Sequence, residues 1–292
     1  MWNKPWKMKE GFAIGIGLIA VGVVLQLAVG PVAWGAFAWP INGVIMAAFL
    51  AVIALIYILR KRVYALLFLG TNHAAISAMA LAVVLTIVMG LTIQSPDGNW
   101  FSNMLSFWPF VLVYTLIALI LGQVIINRAL HFKWKRDIPF MLNHLGLFLA
   151  MTTATLGNAD VQRLRMITTE GQPEWRAVAE NGLVKTMPMS IELKKFIMET
   201  YDDGSPKRYA SVIKIAEKSG KEFEATIDVN KPIVVDGWKI YQYGYDTSMG
   251  AESKISILEM VSDPWLPLVY AGIYMMLGGA VCMFAFGKKV KR

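Results

Sequence analysis

The stretch "FMLNHLGLFLAMTTATLGNAD", Phe140 to Asp160, decides how this chain is read. It is an apolar run of membrane-spanning length that ends in Gly-Asn-Ala-Asp, and beyond it the pattern turns polar and alternating. About 20 apolar residues are needed to cross the hydrocarbon core as a helix. Pro139–Leu156 is therefore a predicted span that hands over to a different kind of domain. The stretch also places Asn143 and His144 just inside the first turn of that predicted helix, in a chain that has only three histidines.

Working outward, runs of similar length occupy Gly11–Val29, Asn42–Leu59, His73–Leu91, Phe107–Ile126 and Leu266–Phe286. Hydrophobic residues make up 56% of the 292 and charged residues 16%, which is not the composition of a soluble protein. The first run is too long for a signal peptide and lacks a small-residue cleavage pattern, so it reads as a retained helix. The expected architecture is a polytopic α-helical membrane protein with six transmembrane helices. An all-β extracytoplasmic domain is inserted between helices 5 and 6. The expected divisions are 1–156 (five-helix region), 157–264 (β-domain) and 265–292 (sixth helix and basic tail).

Lysine and arginine set the orientation. Lys4, Lys7 and Lys9 precede helix 1, and Arg60, Lys61 and Arg62 follow helix 2. Arg128, Lys133, Lys135 and Arg136 follow helix 4, and Lys288, Lys289, Lys291 and Arg292 end the chain. These fourteen cations fall on one side, and the loops Gly30–Ile41 and Thr92–Ser106 carry none. Both ends are expected in the cytoplasm and the polar region outside. That region holds fourteen basic and seventeen acidic residues, so the formal +8 is a topology signal rather than a nucleic-acid footprint.

The outer region alternates as strands do. "IELKKFIMETY" (191–201) begins with period two, and "RYASVIKIAEKSGKEFEATIDVN" (208–230) reads as two strands around Lys218-Ser219-Gly220. "PIVVDGWKIYQYGYD" (232–246) carries Asp236-Gly237, a strong hairpin signal, and "KISILEMV" (254–261) is one more strand. Six to nine strands in a sandwich-like module are expected. The region has no histidine and no cysteine, and Asp202-Asp203 before Gly204 and Pro206 is turn chemistry rather than a cation site. The lone Cys282 excludes an internal disulfide and a dithiol couple, and reads as a packing residue in helix 6. Gly11 and Gly15 lie in a glycine-rich run inside helix 1, where they make a small face for helix packing and no dinucleotide loop. Trp34, Trp39, Trp100, Phe101, Phe107, Trp108 and Trp265 collect at outer helix ends. They read as an aromatic belt, with room for one or two in a ligand wall.

His131 sits in the basic loop and reads as an interfacial residue. His73 opens helix 3 and reads first as an N-terminal anchor. An ionisable side chain inside a span marks a pathway or ligand more often than elsewhere, and neutral imidazole is a natural axial ligand for haem iron. His144 is such a side chain, with Phe148, Met151 and Thr155 on one helical stripe. Phe148 and Met151 suit the flanks of a flat macrocycle and equally suit ordinary packing. On residues alone, a packing histidine and a ligand both stand.

Two separated blocks resemble a known family. "NHLGLFLAMTTATLGNADVQRLRMITTEGQ" (143–172) resembles the helix-to-domain passage of the ResB/CcsB proteins of cytochrome c biogenesis (System II). "IDVNKPIVVDGWKIYQYGYD" with "SDPWLPLVYAGIYMMLGGAVCMF" (227–246 and 262–284) resembles that family's later segment and last helix, through Val229, Asn230, Pro232, Gly237, Tyr241, Gln242, Tyr245, Asp263 and Pro264. The resemblance spans about residues 105–286, and the first three helices depart from the family's simplest four-helix form.

The resemblance implies a bacterial cytoplasmic (inner) membrane protein with its large domain on the periplasmic side. It implies a haem-handling subunit that exports and presents haem b as transported substrate, with a CcsA/ResC-like WWD-domain partner, for attachment to the CxxCH of apocytochrome c. A thiol-reducing accessory protein fits the same system. By its place in "NHLGLF", His144 takes the family's role of transmembrane haem ligand and contact to iron, with His73 a secondary candidate. No outer histidine exists here, so external ligands fall to the partner, and no acid or base for the bond-forming step is visible in this subunit of a lyase or synthase complex. A transporter of another solute is disfavoured by the lack of internal repeats and of deep charges. A structural membrane anchor with a protein-binding β-domain remains the alternative.

Overall fold

The structure is a computed structural model that describes residues 2–95 and 98–286; the tail cations Lys288, Lys289, Lys291 and Arg292 lie outside them. Its contacts group into two compact units, Met1–Ala159 with Trp265–Arg292, and Asp160–Pro264.

The first unit is helical. Its elements are α1 (Met8–Val29), α2 (Ile41–Leu59), α3 (Tyr64–Phe68), α4 (Asn72–Leu91), α5 (Trp108–Leu130), α6 (Trp134–Gly157) and α7 (Leu266–Phe286). All but α3 belong to spans long and apolar enough to cross a membrane, making this a multi-pass membrane protein. The short α3 was not foreseen. It forms because Phe68 buries against Ala74, Ala78, Leu116 and Ile120, and because Trp6 closes over it. The Trp6 ring stands edge-on to Tyr64 and Phe68 at 5.3 and 5.4 Å, and its backbone N–H donates to the Tyr64 hydroxyl at 3.1 Å.

Small residues let the helices approach. Gly11 of α1 faces Ser77 of α4, where a methyl group would come within 2.8 Å of the Ser77 Cβ. The tightest pair is α6 with α7. A methyl group on Gly146 would lie 2.6 Å from the Gly272 carbonyl oxygen, and one on Gly272 would lie 2.6 Å from the Gly146 oxygen. Asn143 turns to the same seam, donating to the Pro139 oxygen at 2.8 Å and reaching Met283 Sδ at 3.6 Å.

The second unit is one antiparallel sheet of eight strands: β1 (Gln162–Thr169), β2 (Pro173–Ala179), β3 (Val184–Thr200), β4 (Pro206–Glu217), β5 (Glu222–Asp228), β6 (Ile233–Val235), β7 (Trp238–Tyr245) and β8 (Ile255–Ser262). Their order across the sheet is β5-β4-β3-β2-β1-β8-β7-β6. Period-two alternation puts Met166, Ile191, Leu193, Ile213, Ile215, Ile240, Leu258 and Met260 into a single core. Asp236 and Gly237, at φ 47° and 79°, make the tight turn between β6 and β7, where only a residue tolerant of positive φ fits. Asp203 accepts from the Ser205 N–H at 2.9 Å in the turn between β3 and β4.

The sheet is continuous rather than split into two layers. Register shifts at Glu174/Arg176, Leu193/Lys195 and Gln242/Gly244 bend the strands, as bulges do. Although three strands separate β4 from β8 in the sheet, Ser211 of β4 hydrogen-bonds Ser256 of β8, so the sheet curls back on itself.

Candidate functional site

Helix α6 begins at Trp134, five residues before the predicted start at Pro139. The sequence favours Pro139 as a first-turn residue. The helix instead starts earlier because the Asp137 carboxylate, in its first turn, accepts the Lys133 N–H at 2.9 Å. His144 lies ten residues into the helix, about 15 Å along its axis at 1.5 Å per residue, and five residues beyond Pro139.

His144 is half-buried, and its ring is held from two sides. Nδ1 lies 2.9 Å from the Phe140 carbonyl oxygen. A carbonyl only accepts, so Nδ1 carries the hydrogen, and in the neutral ring Nε2 bears the lone pair. The Phe140 ring lies flat on the imidazole, centroids 3.8 Å apart and planes 19° apart. No hydrogen-bond partner meets Nε2 among the described residues. This arrangement orients a nitrogen donor: one ring nitrogen bonds to backbone, and the other keeps its lone pair, as in metal-binding histidines.

Phe148 is buried with Ile53 and Leu121 and stacks on Phe49 at 6.3 Å and 8°. Met151 faces a cavity of about 620 Å³ at the end of the bundle where α5 begins and α6 ends. Phe49, Trp34, Trp108, Tyr114, Thr152 and Thr155 also line it, and no lysine, arginine or carboxylate does. The Thr152 and Thr155 hydroxyls donate to the Phe148 and Met151 carbonyls, so the wall offers little beyond apolar surface. Trp34 and Trp108 pin loops, donating Nε1–H to the Leu105 and Gly30 oxygens at 3.0 and 2.9 Å.

The other histidines stand apart. His73 is exposed near the start of α4, which packs chiefly on α1 and α5, whereas α6 packs on α2, α5 and α7. His131 is exposed at the end of α5, with Nδ1 donating to the Asn127 oxygen at 2.9 Å. The residues that sequence reading missed are Phe140 and Arg128. The Arg128 guanidinium carbon lies 4.5 Å from the centroid of the Phe140 ring that covers His144. The signal for Phe140 was its i,i+4 spacing to His144, which puts two flat rings on one helix face.

The second unit holds a buried polar set of its own. Ser256 Oγ accepts from Ser211 at 2.7 Å and from Gln242 Nε2 at 3.0 Å, and the Ser256 carbonyl accepts from Thr168 at 2.9 Å. Gln242 is thereby given a structural task. Ion pairs line the exposed strands: Arg176 holds the Glu174 carboxyl down at about 2, and Arg208 lowers Asp228 likewise.

Residues 136–255 match the ResB-like family. A cytochrome c biogenesis protein CcsB of Prochlorococcus marinus (strain NATL1A) is 28% identical over 102 residues, 35% of this chain and 23% of its own length. The protein of the same description from Gloeobacter violaceus is 29% identical over 103 residues, 34% of this chain and 22% of its own. The matched segment thus spans less than a quarter of these relatives. Among solved structures, the cytochrome c haem lyase CcmF aligns with 83% of this chain and 45% of its own at 13% identity, with a TM-score of 0.38.

Proposed function

We propose that this chain, whose residues 136–255 match the ResB-like family, is a haem-handling membrane subunit of cytochrome c assembly. In this reading His144 takes the iron of haem b through Nε2. The observation that carries it is the ring's setting: Nδ1–H is spent on the Phe140 oxygen, and Nε2 meets no hydrogen-bond partner among the described residues. Phe140 fixes the ring plane by stacking. Haem is the cargo, supplying the vinyl groups that become thioethers with the client's cysteine thiols. This chain binds and orients it. His73 is kept as a secondary ligand candidate, although it stands on a helix that packs chiefly away from α6.

Cation placement supports an orientation with both ends in the cytoplasm and Asp160–Pro264 on the periplasmic side of the inner membrane. The relatives' descriptions support a task in cytochrome c biogenesis. A CcsA/ResC-like partner would then supply the outer haem ligands, and apocytochrome c would be the client.

The test is to co-express the full chain with a WWD-domain partner and record the absorption spectrum of the purified pair. A Soret band that His144→Ala removes or shifts supports the reading. A pair that assembles without pigment would instead favour the structural anchor with a protein-binding β-domain.

A further inference from the structure

Around the start of α6 the side chains of Arg128 and Arg136 and the backbone N–H of Lys133 meet one acid, Asp137. The Asp137 carboxylate is almost wholly buried and accepts four hydrogen bonds: Lys133 N–H at 2.9 Å, Arg136 Nε at 2.7 Å, Arg136 Nη2 at 3.0 Å and Arg128 Nη1 at 3.1 Å. One carboxylate cannot neutralise two guanidinium ions. A guanidinium has five N–H donors, of which Arg128 spends one on Asp137 and Arg136 two. Both side chains remain partly open, at 36% and 58% exposure. The cluster is therefore a pair of forks with spare donors and net positive charge, fixed in place by Asp137, the one acid paired with them among the described residues.

Its position is the second observation. Arg128 lies against the same Phe140 ring on which His144 stacks, 4.5 Å and 3.8 Å from the ring centroid. One aromatic ring thus joins the cationic forks to the imidazole.

We propose that Arg128 and Arg136, with Asp137 as their positioning residue, bind the two carboxylates of the porphyrin whose iron is held by His144. This rests on the reading of His144 as ligand. Haem b is apolar except for its two propionates, and these need donors wherever the macrocycle sits in a membrane. The cavity beside Met151 offers none that are charged. The guanidinium fork matches a carboxylate in two parallel bonds, and here the forks are already ordered before ligand arrives.

The experiment uses the purified full chain in detergent, titrated with ferrous protohaem and with its dimethyl ester, and read in the Soret region. The wild type should bind the diacid about tenfold more tightly than the diester, as expected for a charge-assisted bond. Arg128→Gln and Arg136→Gln should each bring the ratio toward one while leaving diester affinity and the ligation spectrum unchanged. Arg136, the more exposed, keeps the test alive if replacing Arg128 impairs folding. No preference in the wild type, or an intact preference in both variants, overturns the proposal. His144→Ala separates the two claims: it should abolish the ligation spectrum with diacid and diester alike. If it does so while the arginine variants discriminate as the wild type does, only the carboxylate site falls. If it changes neither ligand's spectrum, the reading of His144 falls and the carboxylate site with it.

Discussion

Ser211 and Ser256, 45 residues apart in sequence and with three strands between theirs in the sheet, share a hydrogen bond of 2.7 Å in a core where both are fully buried. The bond joins the two walls of the curled sheet, and Gln242 completes it. A buried donor left without a partner costs about 1–3 kcal/mol. Ser256→Ala strands both Ser211 and Gln242, so it should destabilise the β-domain by about that amount. The double change with Ser211→Ala should cost less than the sum of the two. Hydrogen-exchange protection of β4 and β8 peptides in the full chain measures both; strictly additive losses would contradict a shared network.

The α6–α7 seam has no room for a side chain. Gly272→Val would drive carbon atoms into the Gly146 carbonyl and Ala150. Overpacking of this kind costs about 1–3 kcal/mol. Gly278→Ala, six residues on, meets nothing within 4 Å among the described residues and should be silent. Thermal unfolding in detergent should separate the two variants clearly.

Acid should loosen the sheet domain over a defined range. Arg176 hydrogen-bonds Glu174 and lowers its pKa from the ordinary 4.5 to about 2 in the folded protein. A carboxyl group depressed on folding contributes stability that is complete above its unfolded value and is lost as pH falls through the folded one. The loss attributable to this pair therefore runs from about pH 4.5 down to about pH 2. Glu174→Gln should flatten the pH dependence of unfolding there and leave it unchanged at pH 7 to 8. An unchanged acid slope would show that the pair contributes nothing.

Two phenylalanines on α6 should part company. Phe148 is buried among Ile53, Leu121 and Phe49, so Phe148→Ala should cost about 3–5 kcal/mol of stability. Phe140 holds the imidazole plane. Phe140→Leu should broaden or shift the haem Soret band at little cost in stability. The reverse pattern would mean that Phe148, not Phe140, is the ring at the haem.

The six spans were legible because length and apolarity decide a membrane helix before any tertiary contact does. The hairpin at Asp236-Gly237 was legible because its turn dictates its residues. The start of α6 was not. Pro139 marks a helix beginning in isolation, and only the meeting of Asp137 with Lys133, Arg136 and Arg128 moves that beginning back to Trp134. All three partners are near in sequence, and a lone acid in a basic loop was a usable clue. The curl of the sheet was not legible at all, because it depends on bulge positions and on Ser211 meeting a residue 45 positions away. At the site, His144 stood out as an ionisable group in a span. Its cover by Phe140 is a contact that only the fold discloses.

The iron–nitrogen stretching band in the resonance Raman spectrum of the ferrous, haem-loaded full chain tests the central claim most directly. The account predicts a band that shifts when histidine is labelled with ¹⁵N and that is absent from His144→Ala protein loaded with the same haem. A label-sensitive band that persists unchanged in His144→Ala would contradict it.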